Sequence, residues 1–236
     1  QPPSATRFLP RFLEVLVPDL PLRNLGLTLA DGQRYQVASV RGALAMTRWR
    51  IDLSDLVVED PRGRIDGAIT LRATTPLGLR AAANGRWQLP DEQTWRFAAA
   101  VSGNLDRLAT TVTLSAPTQA SFVGNALNLT GEPRIVGTLR ATEFDGTPWF
   151  DAGVLPRTSG SVSVDVGADG FGLDGTLTAE VFGDGPVRVQ GNGRWQDQTL
   201  ELASFRAWLP RSSLTLTTSG TARFAGDAPQ LALTGE

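Results

Sequence analysis

The chain of 236 residues contains no cysteine and no histidine, and all 22 of its basic residues are arginine. These absences exclude chemistry before any motif is read. Without Cys or His there is no Cys–His nucleophile pair, no Ser-His-Asp triad and no zinc site of the usual ligand types. Without Lys there is no phosphate-loop lysine, no Schiff base and no Ser–Lys pair. A genome that favours Arg codons is the simplest source of the missing Lys. Carboxylate chemistry remains open, with 16 Asp and 8 Glu to supply it. No cofactor and no metal site is expected, and the chain does not read as an enzyme. The lack of Cys fits a reducing compartment, or an oxidising one in which the fold does without disulfides.

Charge is sparse as well. Charged residues make up 19% of the chain and the net charge is −2, with both signs interspersed, so no basic tract is offered to nucleic acid. Long apolar runs are missing too. The stretch from Phe8 to Leu22 is interrupted by Pro10, Pro18, Pro21, Arg11, Glu14 and Asp19, which rules out a bilayer span. The chain opens on Gln1 without a signal-peptide pattern and ends directly after a strand-like run at Gln230 to Thr234, which reads as an internal piece of a longer protein.

What is present is alternation. Leu77, Leu79, Ala81, Ala83, Gly85 and Trp87 occupy every second position, and so do Trp95, Phe97, Ala99 and Val101. The same period runs through Val162, Val164 and Val166, through Leu177, Ala179 and Val181, through Val187 and Val189, and through Leu214 and Leu216. A period of two is the signature of strands with one apolar face. Asp-Gly dipeptides at Asp31, Asp66, Asp145, Asp169, Asp174 and Asp184 are predicted as hairpin turns. Asn-Gly at Asn84 and Asn192 lies inside strand-like runs, where a bulge is the better expectation, and a phase slip between Leu202 and Phe205 predicts another. Helix signals are few: apolar spacing predicts a short helix over Ala5–Leu16, and Phe150–Leu155 reads as a turn of helix or a loop. The expected organisation is a Pro-rich, helical lead-in over 1–24 and a repetitive β segment over 25–236.

Two sequence echoes support repetition. Asn84-Gly85-Arg86-Trp87-Gln88 recurs as Asn192-Gly193-Arg194-Trp195-Gln196, and Ile51 to Leu56 parallels Leu200 to Phe205. A sheet with one apolar face must hide it against a second sheet, close into a barrel, or curve into an open trough filled by something else. Periodicity alone leaves sandwich and trough open. The many Ala, Gly and Thr on the apolar face lean mildly toward a trough with room in it.

Several stretches resemble a known family. They are Leu25-Gly26-Leu27-Thr28-Leu29 leading through Asp31-Gly32 into Val40-Arg41-Gly42-Ala43-Leu44, then Trp49-x-Ile51-x-Leu53-x-x-Leu56. Next come Leu105-Asp106-Arg107-Leu108, Val112-x-Leu114-x-Ala116-Pro117, Leu127-Asn128-Leu129-Thr130-Gly131, and the closing Trp195, Leu200-x-Leu202 and Gly220-Thr221-Ala222. From about residue 8 onward the chain resembles the AsmA-like group of bacterial envelope proteins, and within it the TamB family of translocation and assembly module subunits. The resemblance implies an all-β fold, a long twisted antiparallel sheet of repeating hairpins curved into an open hydrophobic groove. It implies a periplasmic segment of a protein anchored in the inner membrane that passes phospholipid toward the outer membrane. The implied partners are phospholipid acyl chains, an outer-membrane barrel protein of the TamA type, and adjoining β segments of the same chain. The alternating positions that would line such a groove are Ile69, Leu71, Leu77, Leu79, Trp95, Phe97, Val112, Leu114, Val162, Val164, Leu177, Val181, Val187, Val189, Leu200, Leu202, Leu214 and Leu216. The alternative function is a scaffold that captures outer-membrane strands by β-augmentation at an open edge.

Two other motifs carry weaker chemistry. Asp165 to Gly175 resembles one calcium-binding β-roll repeat, but a single copy is better read as a hairpin. The carboxylate pairs Asp52/Asp55 and Glu59/Asp60 suit glycoside hydrolysis only if an aromatic sugar platform lies beside them, and none can be placed there.

Overall fold

The computed structural model describes residues 7–28, 34–88, 93–144, 157–179, 185–196, 199–210, 214–223 and 230–235. Among them every regular element is a strand and none is a helix. The chain divides into two units, Gln1–Pro117 and Thr118–Glu236.

The first unit holds β1 (Val15–Val17), β2 (Leu22–Thr28), β3 (Arg34–Met46), β4 (Arg50–Asp60), β5 (Gly63–Arg72), β6 (Gly78–Gln88), β7 (Thr94–Asn104) and β8 (Arg107–Ala116). From β3 to β8 each strand pairs antiparallel with the next in sequence, and β1 and β2 share the free side of β3. The second unit holds β9 (Gln119–Leu127), β10 (Arg134–Phe144), β11 (Thr158–Gly167), β12 (Gly170–Ala179), β13 (Val187–Gln196), β14 (Thr199–Trp208), β15 (Thr215–Arg223) and β16 (Gln230–Gly235). These too pair antiparallel in sequence order. The all-β antiparallel sheet of repeating hairpins is therefore present in both units.

Among the described residues, tight turns form at Pro61-Arg62, Leu105-Asp106 and Ala168-Asp169, closed by the pairs Asp60↔Gly63, Asn104↔Arg107 and Gly167↔Gly170. Polar side chains fix two of them: Asn104 Oδ1 accepts from the N–H groups of Asp106 and Arg107 at 3.0 Å each, and Asp60 Oδ1 accepts from the Arg62 N–H at 3.1 Å. Of the Asp-Gly signals only Asp169-Gly170 lies at a described turn. Asp66-Gly67 and Asp174-Gly175 lie in mid-strand, opposite Asn84-Ala83 and Gln190-Val189. There the glycine serves close strand approach, since a Cβ at Gly175 would stand 2.4 Å from the Ser161 carbonyl oxygen. Asp31, Asp145, Asp184 and Phe150–Leu155 lie outside the described residues.

The expected helix over Ala5–Leu16 does not form among its described residues. Arg7–Glu14 is irregular, and Val15–Val17 pairs with Leu44–Met46. The end of β3 extends past β2, so its backbone groups need a partner, and an extended segment supplies them where a helix would not. Pro10 also removes a donor from the middle of the would-be helix.

Bulges sit where the phase slips. Four residues of β4 (Leu53 to Leu56) face three of β5 (Ile69 to Gly67), and four of β14 (Leu202 to Phe205) face three of β15 (Gly220 to Thr218). The two echoed hexapeptides thus carry the same register shift. Asn192-Gly193 meets a bulge as expected. Asn84-Gly85 does not: it pairs regularly with Asp66 and Ile65.

Candidate functional site

In an antiparallel pair, residues directly opposite each other project from the same face. Following partners across the first unit gives apolar rows. Val15, Met46, Ile51, Leu71 and Leu79 run through Gly103 to Leu108. Leu22, Val40, Val58, Ile65, Gly85, Phe97 and Leu114 form a second row on the same face. In the second unit Phe122, Leu139, Val162, Gly175, Val189, Ala207 and Leu216 form one continuous row. Val164, Leu173, Gly191 and Phe205 form the row beside it.

The sequence-derived positions fall on these faces. Ile69, Leu71, Leu79, Trp95, Phe97, Val112 and Leu114 share one face of the first unit. Val162, Val164, Leu177, Val187, Val189, Leu200, Leu202 and Leu216 share one face of the second. Leu77 lies one residue before β6, and its carbonyl accepts from the Leu105 N–H at 3.0 Å. Leu214 lies one residue before β15, and its carbonyl accepts from the Leu209 N–H at 3.2 Å. Val181 lies outside the described residues. Alternation alone missed Leu108, Phe122, Leu139 and Phe171. Their strands are broken by Gly, Thr or Ser at neighbouring inward positions, and only the register shows which face they share.

Few side chains on these faces are buried among the described residues. The buried apolar residues are Ala73, Leu108, Val187 and Val189, and no described side chain is less than 2% exposed. A sandwich would bury the alternating positions of both inner faces. Within each unit that core is absent among the described residues, so the sandwich alternative does not describe them. Leu216 is 52% exposed, Trp195 55% and Leu139 43%.

The opposite face is polar. Arg64 bonds Asp66 at 2.8 Å and Glu59 at 3.3 Å, Arg50 bonds Asp52 at 2.5 Å, Arg194 bonds Glu201 at 2.5 Å, and Arg134 bonds Asp165. The hydrogen bonds from Arg64 and Arg134 hold the Asp66 and Asp165 carboxyls below their ordinary 3.8. Burial pushes Asp52 up, but hydrogen bonds from Arg50 and Thr70 and the charge of Arg72 outweigh it, and the net shift is downward. A depression of about 730 Å³ on this face of the first unit is floored by Ala68, Ala82, Ala98 and Ala100.

Three of the four carboxylates paired in the sequence, Asp52, Glu59 and Asp60, have partners of their own. Asp52 is engaged by Arg50 and Thr70, Glu59 by Arg64, and Asp60 caps its own turn. In the β-roll-like stretch Asp165 is paired with Arg134, and Ala168-Asp169 is a hairpin turn. Among the described residues no group of three or more acidic side chains is placed to hold a metal ion. No family model, no curated protein and no solved structure matches the chain.

Proposed function

We propose that the apolar faces bind the acyl chains of lipid, and that the chain is a segment of a protein that carries phospholipid through the bacterial periplasm. The observation behind this reading is a continuous apolar face, seven strands wide in each unit, whose described side chains are mostly only partly buried, with Leu139 and Leu216 43% and 52% exposed. Water is a poor partner for such a face, and burying methylenes against it contributes about 0.8 kcal/mol each without directional contacts. An acyl chain needs only a dry, featureless lining. That need agrees with rows of Leu, Val and Phe interrupted by Gly and Ala, and with charges kept on the other face.

Membership of the AsmA-like and TamB group belongs to the same proposal. It carries the periplasmic location, the inner-membrane anchor, the adjoining β segments and a partner of the TamA type. No chemical step is assigned to the chain. The direct test is native mass spectrometry of the purified chain, with photo-crosslinkers at Leu79, Leu177 and Leu216. Bound phospholipid crosslinked from these positions is expected. A lipid-free chain whose crosslinks stay within the protein would sink the reading.

One observation favours a second reading. Among the described residues β16 pairs with β15 alone, so one row of its backbone groups is open. An extended polypeptide could add there by β-augmentation. Crosslinks from Ala232 or Thr234 to a client strand, with none to lipid from the apolar face, would favour it.

A further inference from the structure

A patch at one end of the first unit is not accounted for by the apolar rows. Phe12 is 90% exposed, Leu16 71%, Trp49 45% and Leu13 44%. Backbone bonds tie the segment that carries Phe12, Leu13 and Leu16 to the end of β3 and to the turn that carries Trp49. Leu16 stands opposite Ala45 near the end of β3, and the Phe8 N–H donates to the Arg48 carbonyl at 3.0 Å. Arg48 and Trp49 form the turn into β4, and that turn is well fixed. The Thr47 N–H donates to the Arg50 carbonyl, and the Ala73 N–H to the Trp49 carbonyl, both at 2.8 Å. The indole is therefore presented from a set backbone.

The charges beside it are mostly of one sign. The guanidinium of Arg48 lies 4.7 Å from the Trp49 ring and that of Arg7 lies 5.9 Å from it. Arg11 and Arg50 follow close in sequence or pairing, and Glu14 and Asp52 are the carboxylates among them, Asp52 being held by Arg50 at 2.5 Å. A local excess of arginine in a chain of net charge −2 is a segregated patch. Exposed Phe and Leu, one Trp, and arginines stacked on its ring match the chemistry of a membrane interface. There apolar side chains enter the acyl boundary, Trp sits at headgroup depth and guanidinium groups meet lipid phosphates.

We propose that this tip docks onto the surface of a bilayer bearing anionic lipid. The inference goes beyond acyl-chain binding along the sheet and does not rest on it, since an interfacial tip needs no lipid on the apolar rows. Charge complementarity selects the occupant: a zwitterionic surface offers no net attraction to the arginines, whereas an anionic leaflet does.

The test is co-sedimentation of the whole 236-residue chain with vesicles of phosphatidylcholine alone and of phosphatidylcholine mixed with phosphatidylglycerol. Partition onto the mixed vesicles should be about tenfold stronger or more, and should weaken with added salt. Phe12→Ser with Leu16→Ser should lower it about tenfold, with the far-ultraviolet spectrum and urea midpoint unchanged, because both side chains are exposed. Arg7→Gln with Arg48→Gln should remove the preference for phosphatidylglycerol. Val123→Ser, at a residue 58% exposed in the second unit, should sediment as the parent does. Equal binding to both vesicle types, no binding at all, or a Phe12/Leu16 double variant that binds as well as the parent would each overturn the proposal. So would self-association in free solution that this double variant abolishes, since a second copy would then be the occupant.

Discussion

The ring of Phe171 lies across Gly193, the residue directly opposite it on β13: a Cβ on Gly193 would stand 2.6 Å from the ring and 2.3 Å from the Glu201 carbonyl oxygen. The ring can turn, but the carbonyl belongs to the neighbouring strand and cannot move without opening the ladder. Gly193→Ala should therefore cost about 1–3 kcal/mol by overpacking. Gly172 sits one residue along β12 on the other face, and a Cβ there would meet nothing within 4 Å. Gly172→Ala should be neutral or stabilising by up to about 1 kcal/mol, because it restricts the unfolded chain. Urea denaturation of both variants checks the contrast, and equal losses would show that strand propensity, not the ring and carbonyl, decides the cost.

The echoed bulges differ at the matching position, where Asp55 has no partner on β3 and Ser204 pairs with Asn192 on β13. In β4 the extra residue Asp55 has φ of +51°, a region that β-branched residues avoid. Asp55→Gly should change stability by no more than a few tenths of a kcal/mol in either direction, whereas Asp55→Val should lose about 1–2 kcal/mol. Ser204, at the matching place in β14, is not in that region, so Ser204→Val should be tolerated better than Asp55→Val in the same denaturation series.

The strands were legible in the sequence because alternation reports a local property, the pleat. The same is true of the phase slip at Leu202 and Phe205, which marks a bulge directly. Turns were less legible. Asp66-Gly67 and Asp174-Gly175 carry turn chemistry, yet their glycines are needed where a neighbouring strand passes close, which is a non-local demand. The Ala5–Leu16 helix fails for a similar reason. Its spacing is real, but Phe12 and Leu13 stay exposed, and the open end of β3 takes Val15–Val17 as a partner. Of the candidate site, the membership of each row was readable and its exposure was not. Leu216 and Val189 have the same pattern, share a row, and differ from 52% to 6% exposed.

Acid should be the pH limit of the fold. Asp66, Asp165 and Asp52 have folded-state values below the ordinary 3.8 through hydrogen bonds and nearby arginines, against the opposing effect of burial, which at Asp52 is the largest single influence. Their contribution is complete above 3.8 and is lost as pH falls through the depressed folded values. Exposure keeps it modest. With no histidine to titrate near neutrality, the urea midpoint should stay flat from pH 5 to about 8 and fall below pH 4. A midpoint that drops between pH 7 and 5 would contradict this account.

Exposure varies along one row from 6% at Val189 to 52% at Leu216, so two arginine substitutions should separate folding from ligand binding. Leu216 is 52% exposed at the end of the row that begins at Phe122, so Leu216→Arg can keep its guanidinium in water when the chain is lipid-free. Its stability should shift by no more than about 0.5 kcal/mol. An acyl chain lying along that row would meet the charge in an apolar setting at a cost of several kcal/mol, so copurifying phospholipid should fall sharply. Val189 is 6% exposed in the same row, and Val189→Arg should lose several kcal/mol of folding stability or fail to fold. Comparing lipid occupancy with the urea midpoint for the two variants distinguishes a binding face from a packing core. If Leu216→Arg folds normally and retains its lipid, acyl chains do not lie along this row.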